Sequence, residues 1–412
     1  MIAALLLIQA LDTAHPQPDV GPLDRGRPLA VADSALSNGV RVTFVPFGAS
    51  PKTLVRVVIV TGDACGAPAV LAHAFETAGR PLTDSIAHMG GALTVSVRPE
   101  RIDLSVDVLS PFAPAAIALL SRVVRSPSLE AATLDQSPTA SDLDSLATAT
   151  FQAAVFPAGQ FGSCAHPDRI TTSSPAVGPR STRVIVVGRF DTPSVLSAIA
   201  TAFGEWSATA APVPFAAASP ASPSLTFVHR QGARQVALIV GAPTPGPADS
   251  DFAKLHVMNT LLGGGIVSRI TKNIREAKGY AYGPSSALVT APSGAAYWAE
   301  AADVAAPVAQ PALQEIVAEI TRLGDAAPDM AEVEGAERYL IGRSLFNTST
   351  RLGLADAAEE GTTMRDVPGA TGADVQRLAH AYLAPGRLTI VVVGDTLALG
   401  SGMAAIRAVI PR

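Results

Sequence analysis

The sequence predicts an α+β chain of two similar halves, each a mostly antiparallel sheet packed with helices. Three observations carry that expectation. First, a β-branched run ending in glycine occurs twice. Arg183-Val184-Ile185-Val186-Val187-Gly188 runs into Asp191-Thr192, and Arg387-Leu388-Thr389-Ile390-Val391-Val392-Val393-Gly394 runs into Asp395-Thr396. A continuous apolar run of this kind reads as a strand covered on both faces, and its recurrence about one domain length later marks a duplicated unit. Second, each half opens with a pair of β-rich stretches. These are residues 40–45 and 54–60, with Gly48-Ala49-Ser50-Pro51 as the turn between them, then 225–228 and 235–240, joined at Arg230-Gln231-Gly232-Ala233. Third, helical and strand segments do not alternate regularly, which argues against a doubly wound nucleotide fold.

Each element has its own justification. Residues 68–78 and 111–125 have helical composition and spacing, and 93–97 with 105–109 read as a hairpin. Residues 251–262 form a helix ending at Gly263-Gly264-Gly265, and 267–278 a helix stopped by Gly279, the residue type of the left-handed cap. Residues 307–323 and 331–343 carry apolar side chains at helical spacing, with scattered charges expected on solvated faces. The stretch 208–224 is rich in Ala, Pro and Ser and serves as linker. It divides a first domain, 31–207, from a second, 225–412.

Composition limits the function. The chain has 412 residues, 48 % hydrophobic and 16 % charged, enough apolar material for two large cores. A formal net charge of −5, with no Lys/Arg run, excludes the clustered positive footprint that nucleic-acid binding needs. The Ala-, Val- and Leu-rich, aromatic-poor composition reads as bacterial. Residues 3–11 are apolar but far short of the ~20 needed to span a bilayer. Residues 1–30 read either as a secretory signal peptide, placing the protein in the periplasm or outside the cell, or as a disordered tail, placing it in the cytoplasm. Two cysteines, Cys65 and Cys164, lack metal-finger spacing and leave a disulfide and two buried thiols equally open.

Several segments, read together, resemble the insulinase/pitrilysin family of zinc peptidases, the inverzincins, and especially its bacterial and mitochondrial-processing branch. Ser37-Asn38-Gly39-Val40-Arg41-Val42 is similar to the opening strand of that family's first domain, and Gly90-Gly91-Ala92-Leu93 to the segment after its zinc helix. Residues 261–269 with Ile274-Arg275-Glu276-Ala277-Lys278-Gly279-Tyr280-Ala281-Tyr282 resemble its second-domain signature, and 383–394 its closing strand. The resemblance covers nearly all of the chain after Asp33 and is stronger in the second half.

It implies chemistry that the residues only partly supply. The family places H-x-x-E-H on a helix, so that two imidazoles one turn apart hold Zn²⁺ and the intervening Glu acts as general base. The matching segment is His73-Ala74-Phe75-Glu76-Thr77. Thr77 stands where the second imidazole belongs, and a neutral hydroxyl replaces it poorly. No glutamate occurs between Glu130 and Glu205, where the family's distal ligand is expected; Asp135, Asp142, Asp144 and His166 are the nearest substitutes. Residues 165–181 form a Ser-, Thr- and Pro-rich loop where the family has helices. His73 and Glu76 (the remnant of the general base) then read as relics on a partly buried helix, with Leu71 and Phe75 in the core. No nucleophile elbow such as G-x-S-x-G offers another route, and Gly263-Gly264-Gly265 lacks the Lys-Ser/Thr of a phosphate loop.

By the same resemblance, Arg275 and Tyr282 match the pair that binds the scissile carbonyl oxygen as it gains charge. The alternative is a structural Arg275 paired to a carboxylate. The implied protein is a pseudoenzyme, the zinc-less subunit of a heterodimer. Its homologous partner carries an intact H-x-x-E-H and the zinc, and extended peptides bind as an added strand. Two rivals stand: a self-sufficient zinc peptidase using His73, Glu76 and a substitute such as Asp142, and a scaffold subunit like the core proteins of respiratory complexes.

Overall fold

The computed structural model describes residues 30–61, 67–98, 101–125, 143–157, 161, 177–207, 219–360, 369–399, 404 and 406–407. The apolar stretch at 3–11, Cys65, Cys164, Asp135, Asp142, His166 and most of the 165–181 loop and the 208–224 linker lie outside them.

Two sheets organise the molecule. The first contains β1 (Ala32–Ala35), β2 (Arg41–Pro46), β3 (Lys52–Val60), β4 (Leu93–Arg98), β5 (Arg101–Leu109) and β6 (Thr182–Gly188), in the order β1-β2-β6-β3-β5-β4. The second contains β7 (Leu225–His229), β8 (Gln235–Pro243), β9 (Ser285–Thr290), β10 (Ala296–Ala305) and β11 (Thr389–Gly394), in the order β7-β11-β8-β10-β9. β6 runs parallel to β2 and antiparallel to β3; β11 runs parallel to β7 and antiparallel to β8. The duplicated runs therefore occupy the same place in both sheets, and the α+β class expected from the sequence is the one observed.

The expected strand pairs are corrected. β2 and β3 are not neighbours, nor are β7 and β8, because the closing strand of each half inserts between them. Physically, the connecting loop has to bridge two interstrand spacings, about 10 Å, instead of making a tight hairpin. It is tied to the strand it crosses: Phe47 N–H donates to Gly188 O (2.9 Å) and Arg189 N–H to Lys52 O (3.1 Å). In the second sheet Arg230 N–H donates to Gly394 O (2.8 Å) and Gly232 N–H to Asp395 Oδ2 (2.9 Å).

Helices cover both faces, as strands without polar alternation require. On the first sheet, α1 (Ala67–Gly79), α3 (Ala113–Arg125) and α5 (Thr192–Phe203) enclose a core that includes Val184, Val186, Leu71, Phe75, Ile117 and Phe203. The short α2 (Thr83–His88) leads from α1 to β4. On the second sheet, α6 (Phe252–Asn259), α7 (Ala309–Asp325), α8 (Met330–Asn347) and α10 (Gly372–Leu383) pack over Val236, Leu238, Ile390, Val392 and the fully buried Trp298. α11 (Thr396–Leu399) follows β11.

The opposite faces are covered by exchange. α4 (Leu143–Val155) lays Ala147, Phe151 and Val155 on Ala237, Ile239, Val391 and Val393 of the second sheet. α9 (Arg351–Glu360) lays Leu354, Ala355 and Ala358 on Val45, Leu54, Val58, Ile185 and Val187 of the first. Each half of the sequence thus lends a helix to the other's sheet.

Two further expectations need correction. The helix expected from residue 267 begins after Ser268, whose Oγ accepts from Thr271 N–H (3.4 Å) in the manner of a cap, leaving Ile266 and Val267 exposed. The charges of α7 and α8 are not all solvated: Glu319 and Glu337 are buried. Glu337 accepts from the Ala370 N–H (2.8 Å), and Glu319 from Asn273 and Arg322 (2.6 and 2.5 Å). Buried carboxylates persist because each finds donors.

Candidate functional site

The segment after α6 is built by close backbone approach. Thr260–Gly264 continues α6 as a wide π-turn, and a methyl group on Gly263 would meet Glu300 Oε2 at 2.1 Å. Glu300, on β10, is wholly buried, and its two oxygens accept no hydrogen bond. Burial pushes its pKa well above the ordinary carboxylate value. Its cross-strand partner Ser286 spends its own proton on Asn259 Oδ1 (2.7 Å), which also accepts from Trp298 Nε1–H (2.9 Å). The buried Glu300 carboxyl and this Ser286–Asn259–Trp298 group together line the space beneath the glycine turn.

From there the chain enters the helical segment that carries Arg275. Thr271–Ala277 is wound as a π-helix, with Ile270 and Ile274 fully buried. Its polar side is clasped by α7 and α8. Arg269 makes a bidentate ion pair with Glu332 (2.7 and 2.6 Å), Asn273 donates to Glu315 and Glu319 (2.9 and 2.6 Å), and Lys278 pairs with Glu315. Lys278 and Asn273 hold the Glu315 carboxyl below its usual range. Arg269, Asn273, Lys278 and their carboxylate partners were not among the sequence candidates. Their signal was the spacing of Arg269 and Asn273, four residues apart and so on one helix face, opposite glutamates at Glu315 and Glu319.

Gly279 ends the segment at φ +64°, in the left-handed region that glycine adopts without strain. The Tyr280 N–H bonds back to Ile274 O (2.7 Å), six positions earlier and one more than in the usual glycine cap of an α-helix, as the wider π-winding requires. Ala281 then forms an isolated bridge with Val304 on β10, which returns the chain to the sheet edge and projects Tyr282 beyond it. Tyr282 is 89 % exposed, and the Arg275 guanidinium carbon lies 5.4 Å from its ring centroid. That stacking is worth about 0.5–1 kcal/mol at an exposed site. Arg275 makes no ion pair with any described residue. The structure therefore brings Arg275 and Tyr282 together, as two adjacent donors in an open concavity of about 650 Å³ lined also by Gln235, Tyr280 and Asp303.

The first-half candidates stand differently. His73, Glu76 and Thr77 share the exposed face of α1, while Leu71 and Phe75 are fully buried. The helix expected to be partly buried is so, but its His and Glu are on the solvent side. That face offers one imidazole, one carboxylate and one hydroxyl, which is not a zinc donor set. Asp144 is exposed on α4, whose packed partners are β8 and β11 of the second sheet. Among the described residues no group of three or more His, Cys, Asp or Glu is arranged to hold a metal, and no helix is long and apolar enough to cross a membrane. These residues do not fit the zinc that the family resemblance implies.

Comparison with known proteins relates the chain to peptidases. Residues 177–340, which include Arg275 and Tyr282, match the family described as the peptidase M16 inactive domain. An uncharacterized zinc protease of Mycobacterium tuberculosis is 44 % identical over 75 residues, 18 % of this chain and 17 % of that protein. One from Mycobacterium leprae is 43 % identical over 74 residues, 18 % of this chain and 16 % of that protein. The matched stretch is thus less than a fifth of either relative. A protease from Helicobacter pylori shares the fold at a TM-score of 0.75 and 16 % identity, covering 89 % of this chain and all of that one. A peptidase M16 inactive domain from Pseudomonas fluorescens does so at 0.73 and 18 %, covering 89 % and 98 %. A chain of Complex III2 from Candida albicans does so at 0.72 and 14 %, covering 92 % and 100 %. Residues 177–340 thus match the peptidase M16 inactive domain in sequence, and over most of its length the chain shares the fold of M16-like peptidases.

Proposed function

We propose that this chain is the zinc-less subunit of a heteromeric metallopeptidase, organised as domains 31–207 and 225–412 about the 208–224 linker. A homologous sister chain with an intact H-x-x-E-H carries the metal and supplies the activated water. This chain supplies substrate binding and, through Arg275 and Tyr282, donors for the carbonyl oxygen of the scissile bond. The observation that carries the reading is an asymmetry. The zinc face of α1 has lost its second imidazole, while Arg275 and Tyr282 are adjacent, exposed and held in place by the Arg269–Glu332 and Asn273–Glu319 contacts. A guanidinium and a phenol aimed at a developing oxyanion stabilise it more than the ground-state carbonyl, which is the differential that accelerates a reaction.

Extended peptides are the fitting substrates. Among the described residues β4 pairs with β5 on one side only, which leaves its other edge to an added strand. Reconstitution tests the reading: the chain is mixed with a related, zinc-bearing chain and the cleavage of an unstructured peptide is followed. The expected result is turnover by the mixture at least tenfold above the sum of the separate chains, with a complex detectable by size. Equal turnover with and without this chain contradicts it.

A further inference from the structure

The two exchanged helices are held by different forces. α4 sits on the second sheet through apolar side chains, and its Gln152 donates to the Tyr297 hydroxyl (2.9 Å). α9 adds a layer of charge to its apolar contacts. Arg351 makes a bidentate pair with Asp107 of β5 (2.9 and 2.8 Å). One turn and two turns further on, Asp356 and Glu359 descend into a cluster of guanidinium groups. Asp356 meets Arg56 of β3 (2.6 Å) and Arg98 of β4 (3.0 Å). Glu359 meets Arg101 of β5 (3.1 Å) and, at longer range, Arg56 (3.7 Å).

At the centre of this cluster not every polar atom is bonded. Asp103 of β5 and Glu359 of α9 both reach the same nitrogen, Arg101 Nε, at 3.5 and 3.1 Å. Arg101 Nε, Asp103 Oδ1 and Glu359 Oε2 are buried without a hydrogen bond of good geometry. Asp103 has a second donor, Arg98 Nε on its Oδ2 (3.0 Å), whereas Glu359 meets it at Arg101 and keeps Oε2 without a hydrogen bond, so two carboxyls from opposite halves of the sequence converge on one guanidinium away from water. Such a pair is held best when one of its members is neutral. The other charges facing Glu359 are Arg56, Arg98 and Arg183, whose Nη1 donates to the Glu359 carbonyl oxygen (3.5 Å), and Asp356 on its own helix.

We propose that the seating of α9 on the first sheet is a proton-controlled clamp, in which Glu359 takes a proton from solvent as the helix docks and returns it as the helix lifts. Burial first, and then the neighbouring Asp103, raise the Glu359 carboxyl from 4.5 to about 7, against the opposing pull of Arg101, Arg56 and Arg98. With the docked pKa above that of the released helix, the advantage of docking is complete below about pH 4.5 and is lost as pH rises through about 7. Docking therefore tightens on acidification across the window between those values. Arg98 closes β4, the last strand of the first sheet among the described residues, so the clamp acts beside that edge. The inference stands on the contact between the two halves and does not depend on a partner chain or on Arg275.

Amide hydrogen exchange on the full-length chain tests it, with α4 as internal reference. After correction for intrinsic exchange rates, protection of residues 351–360 is expected to fall about tenfold or more between pH 5.5 and 8.5, while residues 143–155 stay level. In Glu359→Gln, a neutral isostere of the protonated acid, the protection of 351–360 is expected to stay high and flat across the range. A flat wild-type profile, the same slope in Glu359→Gln, or parallel loss in both helices would overturn the clamp. The wild-type profile alone decides if the variant does not fold.

Discussion

In a complex with a zinc-bearing sister chain, Arg275→Ala is expected to lower kcat/KM for peptide cleavage by about 10²–10³-fold, the cost of removing an oxyanion donor from a water-poor site. Tyr282→Phe removes a single hydroxyl and is expected to cost about tenfold or more. In both, kcat should fall more than KM rises, because the donors act on charge that exists only in the transition state. Both side chains are exposed, and their mutual stacking is worth about 0.5–1 kcal/mol, so unfolding midpoints should move little. Steady-state kinetics with a thermal melt of each variant separates the roles. Undiminished kcat/KM in both variants assigns the pair to surface structure.

The second large effect is on stability. Phe151→Ala is expected to destabilise the fold by about 3–5 kcal/mol, the range for emptying a buried aromatic site. Phe151 is 1 % exposed on α4, stacks edge-on to Tyr297 with centroids 5.3 Å apart, and fills the space over Gly241, where a methyl would lie 2.7 Å from its ring. The loss should be independent of pH, since the contact is apolar, and is read from denaturant midpoints at constant m-value. A change below about 1 kcal/mol would mean that α4 contributes little to holding the two halves together.

Much of the architecture was legible because it is written in local pattern. The glycine-ended runs at 184–188 and 389–394 are buried on both faces, which favours an unbroken β-branched sequence wherever they sit. What pattern did not reveal was pairing. The insertion of β6 between β2 and β3 depends on contacts more than a hundred residues apart, and no local feature of Gly48 to Pro51 distinguishes a crossing loop from a hairpin. α4 and α9 were missed for a related reason. Their exposed and buried faces are defined by a sheet from the other half, and in α9 charged residues such as Asp356 and Glu359 point inward, against the usual amphipathic reading.

The candidate site divides along the same line. Arg275 and Tyr282 were singled out by the resemblance of the Arg275–Tyr282 stretch to a family signature, and the residues themselves showed only the Gly279 stop between them, whose cap geometry follows from that glycine. The clasp of Arg269, Asn273 and Lys278 was not, because its carboxylates come from α7 and α8, whose charges pass for solvated ones until the packing is seen.

On the proposed reading, α1 holds no catalytic metal and hydrolysis depends on a second polypeptide. The most direct measurement is the zinc content and peptide-cleaving activity of the purified chain, free of companion proteins. The account predicts well under one zinc per chain after dialysis and no cleavage above background, unchanged in His73→Ala. One tightly held zinc per chain together with cleavage that His73→Ala abolishes would contradict it.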